Sequence, residues 1–463
     1  MGAGKSTVGE EVAKRIGRPF VDLDRELEAE LDASVPEIFA DRGEAAFREH
    51  EEELTVEALA DPVPSVLALG GGAPTSPRVR ESLRARAVTV LLEVHPDEAW
   101  KRVRGSGRPL AVDETRFRTL YDERRPLYHE NADDYALDAD GVVLAAGGVL
   151  VAGGALAALE RILPEGQAAL VTEPRVAGIH GAAAQLALGG RLASVHELPT
   201  GEEAKTVATC ERLWRELTLE RGDTLVALGG GCTTDVAGFV AATYLRGIDW
   251  VAVPTSLVGQ VDAALGGKTA INLAAGKNLV GAFHWPVRVV VDPDLLETLP
   301  ESERRNGLAE AVKTGLLAGE PFWELQQRDL VRGCAAYKTA VCLRDPDEHG
   351  PRAVLNLGHT FAHALEAAAR FEAVSHGEAV ALGLQAALRL SGNEPALGLV
   401  REVLRPRPVR VDRERAWAAL RRDKKAAGGR VRLVLLPQNG EPEYGVELPA
   451  EQVRRELDAL IAK

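Results

Sequence analysis

The sequence predicts an α/β chain with two nucleotide-binding regions, followed by an all-α region. Near the N-terminus, GAGKSTVGEEVAKRIG joins a glycine-rich turn to a helical pattern. Further along, the apolar strand DTLVAL runs into GGG and a second helix, which is an arrangement that holds phosphate at a helix N-terminus. Beyond residue 300, alanine and leucine recur at helical spacing. We therefore expect domains at residues 1–140, 141–300 and 301–463, with the first boundary near Gly141.

Composition and charge favour a cytoplasmic protein that acts on small molecules. The 463 residues carry 55 Lys plus Arg against 69 Asp plus Glu, a net charge of -14. Nucleic acids and anionic membranes select basic surfaces, so we expect neither as a partner. The 4 cysteines form no CxxC pair, and neither a signal peptide nor a membrane-spanning run is found.

The first residues contain the second half of a phosphate-binding loop, carried by Gly2, Gly4, Lys5 and Ser6. In such a loop the lysine contacts the outer phosphate oxygens and the hydroxyl binds magnesium. A full motif also needs an earlier glycine and a buried strand before the loop. We therefore expect the true start to lie upstream of Met1, with the first strand of the sheet missing from the chain as numbered.

Further elements of the first domain follow in order. PFVDLD is typical of a strand with Asp22 and Asp24 on one face, and Ser34 with Glu37 predicts a capping box. SVLALGGGAP predicts a strand that enters a glycine loop, and VTVLLEV predicts another strand. The arginine-rich GSGRPLAVDETRFRTLYDERRPLY is typical of a lid over phosphates.

In their order, GAGKST, DLD, FRxxE, LGGGA, GRPL and ERxPLY resemble the motifs of shikimate kinases. The resemblance implies that ATP and Mg²⁺ are bound by Gly2, Gly4, Lys5, Ser6 and Thr7, with Ser6 on the metal. It implies that shikimate is held by Asp24, Arg48, Gly70, Gly71, Gly72 and Arg124. Asp24 would accept the hydroxyl proton, and Arg108 would stabilise the transferring phosphoryl group. The alternative is a degenerate, non-catalytic kinase-like module.

A metal site is indicated by NLGHTFAHALE, where His359 and His363 stand at i and i+4 on one helix face. Glu310 in RNGLAEAVKTG and His376 in SHGEAVALG add two more groups of metal-binding type. One carboxylate with two or three histidines suits a zinc site with an open position. Spacing alone favours both histidines of the pair as ligands. Thr360 stands where a zincin peptidase carries glutamate, which disfavours a peptidase.

RNGLAEAVKTG, NLGHTFAHALE and HGEAVALG, in this order, resemble the metal-site motifs of 3-dehydroquinate synthases. The resemblance implies Zn²⁺ (or Co²⁺) bound by Glu310, His359 and His376, with His363 on the substrate. It implies NAD contacts from Glu202, Lys205, Gly229, Gly230, Asp235, Thr255 and Ser256. The implied substrate and catalytic residues are Asp262, Lys268, Lys277, Asn278, Lys313, Lys338, Arg352, Asn356 and one of Lys424 and Lys425. Arg246 would reach into the partner subunit's site, which implies a homodimer.

Together the resemblances imply a bifunctional chain of the shikimate pathway. One activity would convert 3-deoxy-D-arabino-heptulosonate 7-phosphate to 3-dehydroquinate and phosphate, with NAD regenerated each turnover. The other would phosphorylate shikimate with ATP. The rivals for the larger part are another sugar-phosphate cyclase or a metal-dependent polyol dehydrogenase. The lysine and arginine set favours a phosphorylated acid as substrate, because a plain polyol has no need of those cations.

Overall fold

The computed structural model describes residues 2–105, 113–274, 276–370, 373–423 and 430–462. The chain forms two compact units, Met1–Gly147 and Gly148–Lys463. The division follows Gly147, whereas the sequence placed it near Gly141. The reason is that the alanine-rich stretch Ala139–Ala146 is a helix of the first unit, capped by the Asp138 side chain, which accepts from the Gly141 N–H at 2.9 Å.

The first unit alternates short strands with helices. Its strands are β1 (Phe20–Asp22), β2 (Val66–Ala68), β3 (Val90–Leu92) and β4 (Asp134–Ala136). Its helices are α1 (Lys5–Ile16), α2 (Leu23–Leu31), α3 (Val35–Ala60), α4 (Pro77–Arg86), α5 (Pro96–Val103), α6 (Glu114–Glu130) and α7 (Ala139–Ala146). The predicted capping box opens α3, where the Ser34 N–H donates to Glu37 Oε2 at 2.8 Å.

The four strands form two separate parallel pairs. β1 pairs with β2, and β3 pairs with β4. Within the described ranges of this unit, no strand hydrogen-bonds to both pairs. The unit is therefore held together largely by packing between helices, for example Leu27, Ile38 and Phe47, which are each at most 4% exposed.

The prediction that Asp22 and Asp24 share a strand face was wrong. β1 ends at Asp22, and α2 begins at the next residue. The Asp22 carboxylate caps this helix by accepting from the Asp24 N–H at 3.2 Å. An aspartate is a strong N-cap, so it ends the strand where a simple alternating pattern would continue it.

The second unit begins with an α/β region and continues into helices. Its strands are β5 (Val149–Val151), β6 (Ala168–Thr172), β7 (Leu192–Glu197), β8 (Thr224–Gly229), β9 (Asp249–Pro254), β10 (Lys268–Leu273), β11 (Gly276–Phe283), β12 (Arg288–Val291), β13 (Arg430–Leu435) and β14 (Glu443–Pro449). Its helices are α8 (Leu159–Ile162), α9 (Pro174–Val176), α10 (Ala182–Leu188), α11 (Val207–Glu216), α12 (Gly231–Thr243), α13 (Glu301–Ala318), α14 (Gln327–Arg344), α15 (His359–Ala368), α16 (His376–Leu390), α17 (Glu394–Leu404), α18 (Arg413–Asp423) and α19 (Ala450–Ala459).

Six parallel strands make the main sheet, in the order β5-β12-β9-β8-β6-β7. β6 and β8 are buried along their whole length, as expected for a parallel sheet covered on both faces. From β6 the chain moves outward to β7 and then returns to β8 on the other side. The carboxyl ends of β6 and β8 therefore flank a topological switch point, where α/β sheets bind ligands.

The remainder confirms the predicted helical region and adds two hairpins. β10 and β11 form an antiparallel hairpin before the helices. Helices α13–α19 carry most of residues 301–463, and β13 with β14 forms a second hairpin within them. No helix in the described parts of the chain is long and apolar enough to cross a membrane.

Candidate active sites

Three side chains of metal-binding type converge in the helical region. Glu310 of α13, His359 of α15 and His376 of α16 each offer one ligand atom, and these atoms lie within 4.8 Å of one another. Glu310 Oε1 is 2.9 Å from His376 Nε2 and 3.3 Å from His359 Nε2. One carboxylate oxygen and two imidazole nitrogens suit a zinc ion that keeps a position for substrate.

Helix starts place both histidines. His359 is the first residue of α15, after Gly358, which adopts φ 78°. A Cβ at Gly358 would lie 2.7 Å from the Leu384 nitrogen, so this glycine allows α15 to begin tightly against α16. His376 is the first residue of α16, whose N-terminus is closed by a Ser375–Glu378 capping box.

His363 lies outside this group. Its side chain is exposed, and its ring centroid is 5.5 Å from that of His359 in an edge-to-face arrangement. The helical spacing that suggests a paired ligand set is therefore misleading. His376, from another helix, takes the position beside Glu310.

A chain of ion pairs, formed by Lys313, Asp262 and Lys338, begins at Glu310 of the metal group. Lys313, which is 1% exposed, has Nζ 2.5 Å from Glu310 Oε2 and 3.5 Å from Asp262 Oδ1. Lys338 Nζ is 2.8 Å from the same Asp262 oxygen. Burial by itself would lower the pKa of Lys313, but the Asp262 and Glu310 carboxylates raise it above its usual value. The lysine therefore stays charged inside the protein.

The pKa values of Glu310 and of both histidines depart from their usual values, and those of the two histidines shift in opposite directions. Burial would raise the pKa of Glu310, but Lys313 and His359 hold it well below its usual range. Burial would lower the pKa of His376, but hydrogen bonds to Glu310 and Glu366 raise it to about 10. His359, next to the Lys313 charge, has its pKa lowered chiefly by burial. Such shifts from several causes are typical of functional sites.

A second cationic group lies around Arg352 and Lys268. The Arg352 guanidinium donates to Gly266 O at 2.7 Å and to Pro346 O at 2.6 Å. Lys268 Nζ lies 2.6 Å from Glu348 Oε2, and Asn356 Nδ2 donates to Glu348 Oε1 at 3.1 Å.

Asp345 fixes the loop that carries these groups. Its carboxylate accepts from the N–H groups of His349, Gly350 and Arg352 at 2.9, 2.8 and 3.0 Å. The loop is therefore held by a charge-assisted set of backbone hydrogen bonds, which orients Arg352 before any ligand binds.

Residues that the sequence assigns to NAD gather at the carboxyl edge of the parallel sheet. Gly229 ends β8, Gly230 caps α12, and Thr255 follows β9, with its N–H donating to Gly229 O at 2.9 Å. A Cβ at Gly229 would overlap Thr233, and one at Gly230 would lie 3.4 Å from Ser256 Oγ. The backbone here leaves room for a phosphate at a helix N-terminus, which fits a dinucleotide.

A polar network joins this edge to the β10–β11 hairpin. Lys205 Nζ donates to Asp235 and to the Asn278 side chain. Lys277 Nζ lies 2.9 Å from Glu202 Oε1. These contacts connect the hairpin to the carboxyl edge of the parallel sheet at Gly229 and Gly230, which is called the nucleotide edge below.

The first unit has a pocket at its phosphate loop. The lining includes the predicted loop residues and both aspartates, and its members are Gly2, Gly4, Lys5, Ser6, Thr7, Asp22, Asp24, Ala68, Leu69, Arg102 and Val103. Ser6 Oγ donates to Asp22 Oδ2 at 2.5 Å. A hydroxyl beside a carboxylate is a suitable ligand pair for Mg²⁺.

Beside this pocket, the glycine loop packs against charged side chains. A Cβ at Gly70 would overlap Glu51 and lie 2.9 Å from Asp24 Oδ1, and a Cβ at Gly72 would overlap Arg48. Arg48 Nη1 pairs with Glu51 Oε2 at 2.5 Å.

Arg124 of α6 reaches the same loop. Its Nη1 donates to Gly71 O at 3.0 Å, and Tyr128 Oη donates to the same carbonyl at 2.6 Å. The structure thus brings together the residues that the sequence assigned to shikimate.

Comparison with known proteins finds relatives for both units. Family models match residues 1–151 (shikimate kinase), 195–306 (3-dehydroquinate synthase N-terminal) and 307–426 (3-dehydroquinate synthase C-terminal). A 3-dehydroquinate synthase of Thermosynechococcus vestitus is 40% identical over 340 residues, which cover 66% of this chain and 92% of the relative. The chain belongs to the 3-dehydroquinate synthase family. It also carries a shikimate kinase domain at its N-terminus.

Other relatives agree with this family. The synthase of Gloeobacter violaceus is 42% identical over 325 residues, covering 64% of this chain and 90% of the relative. A solved 2-deoxy-scyllo-inosose synthase complexed with carbaglucose-6-phosphate, NAD⁺ and Co²⁺ is 26% identical, with a TM-score of 0.61 over 67% of this chain and 96% of that chain. A 2-epi-5-epi-valiolone synthase from Streptomyces hygroscopicus with NAD⁺ and Zn²⁺ is 25% identical, with a TM-score of 0.59 and the same coverage.

The predicted synthase and kinase sites also include Arg108, Arg246, Lys424 and Lys425. Arg108, Lys424 and Lys425 lie outside the described residues. Arg246 is exposed on the turn after α12, where both Leu245 and Arg246 have positive φ.

The structure also adds polar residues that the sequence did not assign. They are Asp22, Glu51, Tyr128, Asn272, Glu348 and Glu366. Glu51 is the last residue of FRxxE, and Glu366 is the last residue of NLGHTFAHALE. Both could therefore have been predicted from their motifs. Asn272 and Glu348 carry no such signal, because their contacts join segments far apart in the chain. Asn272 Nδ2, for example, donates to Glu202 Oε2 at 2.7 Å.

Proposed function

We propose that the synthase unit converts 3-deoxy-D-arabino-heptulosonate 7-phosphate to 3-dehydroquinate and phosphate, and that the kinase unit phosphorylates shikimate with ATP. The observation that carries the first activity is the group of Glu310, His359 and His376 beside two buried lysines. A plain alcohol substrate has no charge for the neighbouring cations Lys268 and Arg352 to bind. A phosphorylated keto acid has two anionic groups.

The residues present fit a divalent metal and NAD. Glu310, His359 and His376 would hold Zn²⁺ or Co²⁺, and the edge at Gly229 and Gly230 would hold NAD. When bound, the metal supplies Lewis acidity at a substrate hydroxyl, and NAD takes up one hydride and later returns it. The solved relatives with NAD⁺ and Co²⁺ or Zn²⁺ support this pair.

The protein's own cations bind and orient the substrate. We assign Lys268 and Arg352 to its anionic groups, together with one of Lys424 and Lys425. Arg352 is only 1% exposed, so its contacts with a carboxylate or phosphate are little weakened by water. Fixed cations also stabilise phosphate as it leaves, because negative charge builds on its oxygens.

Other side chains hold the reacting end. Lys313 and Lys338 share Asp262 as counter-ion, which fixes both ammonium groups in place. His363 is exposed one helical turn after His359, and we assign it to hydrogen-bond the substrate. We assign Asn278 to the same task, and its side-chain oxygen accepts a hydrogen bond from Lys205 Nζ.

In the kinase unit, Lys5 and the loop amides would hold the ATP phosphates, and Ser6 with Asp22 would hold Mg²⁺. Arg48 and Arg124 supply cations for the shikimate carboxylate. Asp24 lines the same pocket and would accept the proton of the attacked hydroxyl. We assign Arg108, by family resemblance, to the transferring phosphoryl group.

We also propose a homodimer through the synthase unit. Arg246 stands on an exposed turn, and two consecutive non-glycine residues there have positive φ, at 50° and 67°. Such backbone strain is found where a side chain must point in a set direction for function. A partner's active site that needs an extra cation would account for it.

The test uses the matched pair of histidines on α15. His359→Ala should lose bound zinc and phosphate release together. His363→Ala should keep its zinc and lose turnover by about 10- to 100-fold, because a hydrogen bond to an anionic substrate is lost. Zinc is measured on purified protein by atomic emission, and phosphate by a coupled assay. Full zinc content and turnover in His359→Ala would contradict the proposed site.

A further inference from the structure

One carboxylate beside the metal group has no role in the proposed reaction. Glu366 lies in the last turn of α15 and is 5% exposed. Its Oε1 is 3.4 Å from His376 Nδ1. The other ring nitrogen, Nε2, is the one that faces Glu310 at 2.9 Å. The imidazole of His376 is thus held between two carboxylates.

The two sides of that ring have different chemical tasks. A histidine binds a metal through one nitrogen, and the group that accepts the proton of the other fixes its tautomer and ring orientation. A carboxylate in this place also makes the ligand nitrogen a stronger donor. The surroundings of Glu366 suit that task, because its carboxylate is buried and its Oε1 lies within hydrogen-bond distance of Nδ1.

We propose that Glu366 is a positioning residue for the metal centre. Its carboxylate accepts the Nδ1–H of His376 and so directs Nε2 at the metal. The inference rests on the proposed function, from which it takes the three ligands, and it adds a fourth residue that never touches the ion.

The assignment is specific to one of the two histidine ligands. His359 Nδ1 has a backbone carbonyl as its partner, Leu357 O at 3.3 Å. A carbonyl fixed by the backbone cannot be removed by substitution, whereas the partner of His376 is a side chain. Glu366 is also 4.0 Å from Lys277 Nζ, on the hairpin that contacts Glu202. The same carboxylate therefore lies between the metal group and the nucleotide edge.

The experiment measures metal affinity without catalysis. The full chain is stripped with a chelator, and zinc is titrated in competition with a chromophoric chelator. Glu366→Ala should bind zinc about 10- to 100-fold more weakly, the usual effect of losing such a partner. Glu366→Gln keeps the shape and an oxygen acceptor but loses the charge, so a smaller loss of about 5- to 10-fold is expected. The visible spectrum of the Co²⁺ form should change in both variants, since the ring of one ligand is reoriented.

The control is Glu402→Gln, which removes a charge from an exposed position on α17. Its zinc affinity should equal that of the unchanged chain. If Glu366→Ala does not fold, as judged by thermal unfolding of the metal-free protein, Glu366→Gln decides. Zinc affinity within about twofold of the unchanged chain would overturn the role of Glu366. Failure of the unchanged chain to bind zinc would overturn the proposed function instead.

Discussion

Lys268 shows how a single charge is balanced in the synthase site. Burial lowers the pKa of its ammonium group, and the Glu348 carboxylate, 2.6 Å away, counters part of that shift. Arg352 and Lys338 add to the lowering because they carry the same charge. The lysine must be protonated to bind an anionic substrate, so kcat/KM should fall as the pH rises through its pKa.

Glu348→Gln should move this alkaline limb to lower pH. The substitution removes the group that raises the pKa of Lys268, and the folded pKa therefore falls further. The expected movement is roughly half a pH unit, the effect of one partly exposed ion pair. The measurement is kcat/KM for phosphate release across the alkaline range. A limb that stays in place or moves to higher pH would show that Lys268 does not control it.

At the scale of elements, α12 and β10 pack through a glycine. Gly238 of α12 faces Thr269, the residue after Lys268, and the ring of Trp250. A Cβ there would overlap Thr269 and lie 2.9 Å from Trp250 Cζ2. The position of the strand that carries Lys268 therefore depends on the absence of a side chain in the helix.

Gly238→Ala should destabilise the synthase unit by about 1–3 kcal/mol, because overpacking outweighs the gain in helix propensity. The matched control is Gly398→Ala in α17, where nothing lies within 4 Å of the added Cβ. That change should stabilise by about 0.5–1 kcal/mol. Urea unfolding followed by circular dichroism gives both values. If both substitutions stabilise the protein equally, α12 does not pack closely against β10 at Gly238.

Elements with strong patterns could be predicted from the sequence. The apolar run before GGG is β8, and the helix predicted after it is α12. Elements whose limits depend on a side-chain cap could not. Asp22 ends β1 by capping α2, and Asp138 opens α7 in a stretch where its glycines obscured the helical pattern. In both places a side-chain hydrogen bond sets the end of a helix or strand, which the periodicity of the residues does not define.

The same distinction holds for the sites. Glu310, His359 and His376 could be predicted, because each lies in a sequence motif that resembles one of the 3-dehydroquinate synthase family. Spacing alone would have paired His359 with His363. Glu348 and Asn272 could not be predicted, since a contact such as that from Lys268 to Glu348 spans a long stretch of chain and leaves no local pattern.

At the scale of the whole molecule, the two activities lie in units with separate cores. The kinase unit packs around residues such as Leu27 and Phe47, and the synthase unit around others such as Val312 and Leu384. Single changes should therefore act on one activity at a time.

Asp24→Asn should lower shikimate phosphorylation by about 100-fold or more, because it removes the proton acceptor, and should leave phosphate release from the heptulosonate phosphate unchanged. Glu310→Gln should lower phosphate release and leave shikimate phosphorylation unchanged, since it removes an anionic ligand of the metal. Both activities are assayed on the same preparation of each variant. Loss of both activities from either change would contradict the separation.

We expect the synthase unit to run a redox-neutral cycle, in which NAD is regenerated at each turnover. The direct test supplies the unit with zinc, the heptulosonate phosphate and NAD at the concentration of active sites, and follows phosphate and NADH absorbance together. We expect many equivalents of phosphate per NAD, an equal amount of 3-dehydroquinate, and NADH that never exceeds the enzyme-bound fraction. With excess NAD, NADH that accumulates in proportion to the substrate consumed, without matching phosphate, would contradict it and identify a dehydrogenase.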